Sequence, residues 1–180
     1  MYPCWVSMGI ERILSSLKVY YEKIVAEGHE NIKATHSTTL EITKEGYLTP
    51  RGTCIIGIRA DKAASDLSSK TKQLLRTSGY KVYLLIIVKG RIDIAEARSD
   101  PRLILADRNS IVIRKSDYID DRTVAVNADK AARDIDRTIV KDLTRGEKLT
   151  AYLVITEENI KNFIKSLKIT EYQRARSSAR

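Results

Sequence analysis

Cysteine is nearly absent: Cys4 and Cys54 are the only two in 180 residues, one in the N-terminal stretch and one inside a short apolar run. That scarcity excludes a disulfide scaffold and CxxC chemistry, and reduced thiols are the simpler expectation. Phe and Trp occur once each, so tyrosine carries most of the aromatic content. No apolar run approaches the roughly 20 residues a membrane-spanning helix needs. The opening MYPCWVSMGIERILSSLK puts charges where a secretory leader needs its apolar centre, and a cytoplasmic protein is expected. Catalytic signatures are missing as well: there is no GxSxG elbow, P-loop, GxGxxG fingerprint or HExxH pair.

What the chain does have is a globular composition. Hydrophobic residues make up 43% and charged residues 31%, which argues against a disordered protein. The length suits one domain with extensions, enough to bury about two thirds of the unfolded surface. The net charge of +9 admits nucleic acid or another polyanion as partner without requiring one, because a Lys-, Arg- and Glu-rich surface is also a thermophilic trait.

The strongest signal is an internal repeat. Ala60-Asp61-Lys62-Ala63-Ala64-Ser65-Asp66-Leu67 returns as Ala128-Asp129-Lys130-Ala131-Ala132-Arg133-Asp134-Ile135. Ile42-Thr43-Lys44-Glu45-Gly46-Tyr47-Leu48 matches Ile113-Arg114-Lys115-Ser116-Asp117-Tyr118-Ile119 without a gap, and Tyr83-Leu84-Leu85-Ile86 matches Tyr152-Leu153-Val154-Ile155. The offset falls from 71 to 68 around Thr49–Gly52, which places the difference in a loop.

Local patterns agree between the copies. Thr38–Thr43, Thr53–Ile58 and Tyr80–Val88 in the first, and Ser110–Ile113, Thr123–Val126 and Leu149–Thr156 in the second, are rich in β-branched or apolar residues and predict strands. Asp61 and Asp129 are placed to cap helices carrying Ala64, Leu67, Thr71, Leu75 and Ala132, Ile135, Ile139, Leu143 at helical spacing. Lys89-Gly90 predicts a tight hairpin joining the copies, with Val19–Ala26 as a further strand before the first. The expected fold is α+β: duplicated strand–strand–helix–strand units, about 28–88 and 99–156, forming a pseudo-twofold closed or nearly closed β-barrel with two principal helices. Residues 1–17 form an N-terminal extension with a short helix, and 18–156 the duplicated domain. Residues 157–180 supply an amphipathic helix, with Ile160, Phe163, Ile164 and Leu167 at helical spacing over 157–168, and a basic tail.

The string Gly28-His29-Glu30-Asn31-Ile32, then Ala34-Thr35-His36, Thr38-Thr39-Leu40-Glu41-Ile42-Thr43, Leu48-Thr49-Pro50, Gly52, Cys54-Ile55-Ile56-Gly57 and Ala60-Asp61-Lys62, resembles an archaeal family of uncharacterised proteins, the domain of unknown function numbered 371. Asp100-Pro101-Arg102 and Ile113-Arg114-Lys115-Ser116-Asp117-Tyr118 resemble the same family, and the resemblance covers about residues 19–156. Glu30 stands where that family usually has Pro, and Thr53 where it has Asp, replacing a Gly-Asp turn that resembles those of cradle-loop barrels. The resemblance implies an archaeal cytosolic protein of compact fold and implies no activity.

At offset 71 the two histidines fall on aspartates, His29 on Asp100 and His36 on Asp107. If the axis gathers them, these four form the candidate catalytic set, able to hold a divalent metal or to divide acid and base roles at a phosphodiester. The bland reading is that each supports its own turn. Lys62 and Lys130, beside helix starts, and Arg51, in the Thr49–Gly52 loop, are candidate phosphate-binding residues. The bland reading there is that Asp61 and Asp129 neutralise the lysines. A nucleic-acid-binding or endonuclease-like hydrolase is the leading expectation. The alternatives are a small-ligand or metal-binding barrel, and a non-enzymatic interaction module that forms a homo-oligomer through its C-terminal helix.

Overall fold

A computed structural model describes residues 5–17, 19–162 and 164. After helix α1 (Trp5–Ser16), the first copy runs β1 (Tyr20–Glu27), β2 (Thr39–Thr43), β3 (Ile55–Gly57), helix α2 (Ser69–Leu75) and β4 (Lys81–Val88). The second repeats it as β5 (Arg91–Arg98), β6 (Ser110–Arg114), β7 (Thr123–Ala125), helix α3 (Arg137–Thr144) and β8 (Lys148–Thr156). The copies join at Lys89-Gly90, where both residues have positive φ (50° and 77°), the geometry of a two-residue hairpin turn whose twist matches its strands.

The expected barrel does not form. Among the described residues the strands make two separate four-stranded sheets, ordered β1-β8-β4-β5 and β3-β2-β6-β7, with no sheet closed on itself by hydrogen bonds. The reason is local. β3 and β7 are three residues long and spend that length on parallel pairing with β2 and β6, so each reaches the other sheet through a single bridge, Glu27 with Ile58 and Arg98 with Val126. Beside each bridge a side chain replaces the missing ladder. The Asp61 carboxylate accepts from the Val25 amide and the Asp129 carboxylate from the Glu96 amide, both at 2.8 Å. A carboxylate that satisfies an edge-strand donor also discourages another strand from adding there.

That role removes Asp61 and Asp129 from helix capping. A short 3-10 turn follows each (Ala64–Asp66 and Ala132–Asp134), and Leu67 and Ile135 then return to extended backbone. The α-helices begin later, capped by Ser68, which accepts from the Thr71 amide, and by Asp136, which accepts from the Thr138 amide. One helical stripe in the sequence is thus two pieces in space.

The inner faces of the sheets, with α2 and α3, enclose the main core, including Ile24, Leu40, Ile42, Ile56, Leu84, Ile86, Ile111, Ile113, Leu149 and Leu153. A second apolar cluster lies on the outer face of β1-β8-β4-β5, where Tyr83, Leu85, Ile87, Ile92, Ile94, Tyr152 and Val154 meet Ile10 and Leu14 of α1 and Ile160 and Ile164 beyond β8. Phe163, Leu167 and the basic tail lie outside the described residues. The copies also clasp each other. The Ser65 amide donates to the Asp107 carbonyl of the other copy, and its counterpart Arg133 donates to the His36 carbonyl.

Candidate functional site

β2 and β6 are antiparallel neighbours, Thr39 opposite Arg114 and Thr43 opposite Ser110. Matched residues Leu40/Ile111 and Ile42/Ile113 both face the core, so the pseudo-twofold axis runs through the sheet rather than along it. Segments entering these strands therefore lie at opposite ends of the ladder. His36, three residues before β2, and Asp107, three residues before β6, are so separated. His29 and Asp100 follow β1 and β5, the two outer strands of the other sheet.

Each of the four serves its own turn. The Asn31 amide donates to His29 Nδ1 at 3.0 Å and the Arg102 amide to Asp100 Oδ1 at 2.9 Å. His36 Nδ1 accepts from the Thr38 and Thr39 amides, and Asp107 Oδ1 from Asn109 and Ser110. The Arg102 guanidinium, and after it the Arg102 backbone amide, bond Asp100 and hold that carboxyl below the usual range. Among the described residues no three His, Cys, Asp or Glu side chains gather closely enough to hold a metal ion.

The lysines also have partners inside the fold. Lys62 donates to Glu22 at 3.0 Å and Lys130 to Asp93 at 2.5 Å, and these carboxylates, themselves matched at offset 71, are buried. Burial opposes the Glu22 charge, but the Thr71 hydroxyl, the Lys62 ammonium and the Ser68 amide outweigh it and hold the carboxyl below its ordinary range. Asp93 likewise accepts from the Asp136 amide at 2.8 Å. Arg51 is exposed in its loop; its carbonyl accepts from the Thr53 amide at 2.9 Å, and its guanidinium makes no hydrogen bond or ion pair with the described residues.

The densest polar arrangement is on the outer face of β3-β2-β6-β7. Alternation sends Thr39, Glu41 and Thr43, and Ser110, Val112 and Arg114, to that side, yet all six are buried. Glu41 accepts from the Ser110 hydroxyl at 2.6 Å and the Cys54 thiol at 3.3 Å, and pairs with Arg122 at 3.6 Å. Arg114 bonds Asp120 (2.6 Å) and Thr123 (2.9 Å), and Arg122 also reaches Asp120 (3.1 Å). Burial works against the Asp120 charge, but the Thr123 hydroxyl and the two guanidiniums hold its carboxyl down at about 2. Burial first, then the Glu41 charge, pushes the Cys54 thiol up to about 12, so it stays protonated at neutral pH.

Tyr118 lies over this network. The Arg114 guanidinium sits 4.9 Å from its ring centroid, and the residue is 60% exposed. Its counterpart Tyr47 is 67% exposed at the opposite end of the same ladder. With Ile104 they are the large hydrophobic residues left most open among the described residues. The sequence reading passed over both tyrosines, although the ungapped match of Tyr47 with Tyr118 marked them. It also passed over Glu41, whose signal is a charge inside the alternating strand Thr39-Leu40-Glu41-Ile42-Thr43.

These features define an internally duplicated, two-sheet α+β protein with a charged network beneath exposed tyrosines on one sheet. The chain belongs to the family described as Domain of unknown function (DUF371), which it matches over residues 24–156. It is 48% identical over 132 residues to Uncharacterized protein MJ0206 of the archaeon Methanocaldococcus jannaschii, a match that covers 73% of this chain and 97% of the relative. Among the described residues no helix is long and apolar enough to cross a membrane.

Proposed function

We propose that the protein binds single-stranded nucleic acid across the outer face of β3-β2-β6-β7, with Tyr47 and Tyr118 as stacking platforms. The observation that carries the reading is the pairing of these exposed rings about the pseudo-twofold axis. A five-residue ladder separates their strand ends, which sets the two loops on the order of 15 Å apart, a span of a few nucleotides. The Arg114 guanidinium lies against the Tyr118 ring, and the residue stays 60% exposed. Exposed aromatic rings are worth about 1–3 kcal/mol per stacked base and tolerate any sequence.

Positive charge lines the span. Arg108, exposed and without an ion pair to the described residues, lies at the Tyr47 end. Arg122 is half-exposed in the middle, and Arg51 is near the Tyr118 end, where the Thr53 carbonyl accepts from the Thr35 and His36 amides. Exposed Asp117, next to Tyr118 in the chain, repels phosphate, so the contact there is to a base. The reading contains no cleavage step, because the four histidines and aspartates are engaged in separate turns.

Fluorescence anisotropy with labelled single- and double-stranded RNA and DNA over a salt series tests it. Single strands are expected to bind in preference to duplexes, with affinity falling as salt rises. Tyr47→Ala and Tyr118→Ala should each weaken single-strand binding by about 5- to 150-fold. Arg51→Ala with Arg108→Ala should flatten the salt dependence. Flat, salt-insensitive traces would overturn the proposal.

A further inference from the structure

The second apolar cluster leads to a different surface. The outer face of β1-β8-β4-β5 displays Tyr83, Leu85, Ile87, Ile92, Ile94, Tyr152 and Val154, all buried in one cluster with residues of other segments. Those segments are α1, through Ile10 and Leu14, and the stretch after β8, through Ile160 and Ile164. The covering segments also satisfy the polar tips of the tyrosines: Glu11 accepts from the Tyr152 hydroxyl at 2.8 Å, and Asn159 from Tyr83 at 3.4 Å.

The face belongs to the family domain and its cover does not. All seven residues fall within 24–156, whereas α1 and residues 160–164 fall outside. The M. jannaschii relative has nearly its whole length within the 132 matched residues, too little remaining for a 12-residue helix. A sheet face of this size and character is not left in water by a soluble protein. In a chain without α1 it has to meet another molecule.

We propose that this face is a self-association surface whose natural partner is the same face of a second copy, and that in this chain α1, together with the stretch after β8, occupies it. The symmetry of the face favours that partner. The pseudo-twofold axis passes between β4 and β8, so Tyr83 and Leu85 on one side repeat as Tyr152 and Val154 on the other. Two such faces stack as an aligned sandwich, the isologous arrangement of twofold dimers. No charged side chain stands among the seven, as suits an interface that excludes water. Lys23 and Glu11, paired at 2.8 Å, hold the helix from the edge.

The full-length double variant Ile10→Asp/Leu14→Asp places two charges under α1 and should release it. Light scattering coupled to size exclusion is expected to show its mass double relative to wild type, in a concentration-dependent manner. Adding Leu85→Glu should return the mass to the wild-type value, with far-ultraviolet circular dichroism unchanged. If Leu85→Glu does not fold, a synthetic peptide of residues 5–17 added to the double variant must reverse the doubling instead. If the double variant aggregates, Leu14→Ala takes its place and must show the same concentration-dependent doubling. An unchanged mass overturns the proposal, as does a doubled mass that persists after both Leu85→Glu and the peptide.

Discussion

His36 and Asp107 perform the same task with different chemistry. His36 Nδ1 accepts from the Thr38 and Thr39 amides at 3.3 and 3.1 Å, and Asp107 Oδ1 accepts from the Asn109 and Ser110 amides at 2.8 and 2.6 Å. An unprotonated ring nitrogen thus stands where the other copy has a carboxylate oxygen, starting the strand in both. His36→Asp or His36→Asn should keep the turn and the stability, whereas His36→Ala should lose about 1 kcal/mol. Urea unfolding at constant m-value reads the difference. Equal midpoints for alanine and wild type would show that the ring does not hold the turn.

Gly28 marks a packing difference between the copies. A Cβ there would lie 2.1 Å from the Leu143 carbonyl oxygen at the end of α3, and backbone cannot yield as a side-chain tip can. Gly28→Ala should therefore cost about 3 kcal/mol. The matching residue, Ser99, has room for a side chain and uses it, donating to the Thr77 carbonyl at 2.6 Å. Ser99→Ala should cost about 1 kcal/mol. Thermal unfolding that ranks serine loss above glycine loss would contradict this packing.

Cys54 should resist alkylation. Its thiol is pushed up to about 12 by burial and by Glu41, so almost none is thiolate at pH 8. In a Cys4→Ser background, iodoacetamide should react far more slowly than with free cysteine. Glu41→Gln removes the nearby negative charge while burial stays, so the rate should rise without reaching the free value. Wild-type alkylation at the free-cysteine rate would rule out the Glu41 contact.

Asp120 governs part of the acid limb. Its folded carboxyl titrates at about 2, below the ordinary 3.8, so the ionised form favours the fold. The contribution is present in full above pH 4, fades as pH falls from 4 towards 2, and amounts to about 2 kcal/mol. Asp120→Asn should lower stability at pH 7 by a similar amount and flatten the dependence in that window. Denaturant midpoints measured from pH 2 to 7 check both parts, and parallel curves for variant and wild type would assign the acid limb elsewhere.

The repeat and its strands were legible because β-branched and apolar runs recur with a single gap, and pairing follows from alternation. Barrel closure was not, because it depends on whether β3 and β7 reach the next sheet, a matter of one or two residues that composition does not register. The α-helix starts were misplaced for a related reason. Asp61 and Asp129 carry a capping side chain at the head of an apolar stripe, but the edge amides of Val25 and Glu96 compete for the same oxygens and win. Superposing the copies paired His29 with Asp100 and His36 with Asp107 correctly as counterparts. It could not say that residues beyond the strand ends, related by a twofold axis through the middle of an antiparallel pair, are carried to opposite ends of the ladder. The buried partners of Lys62 and Lys130 were hidden because Glu22 and Asp93 lie about 40 residues away in sequence, and only strand register brings them in.

The mutual clasp through Ser65 and Arg133 means that neither half completes its own hydrogen bonding. The molecule behaves as a tethered pair, with Lys89-Gly90 supplying the tether. Cutting at that turn would leave the pairing partners in place but turn a one-molecule equilibrium into a two-molecule one. Unfolding midpoints would then drift with protein concentration.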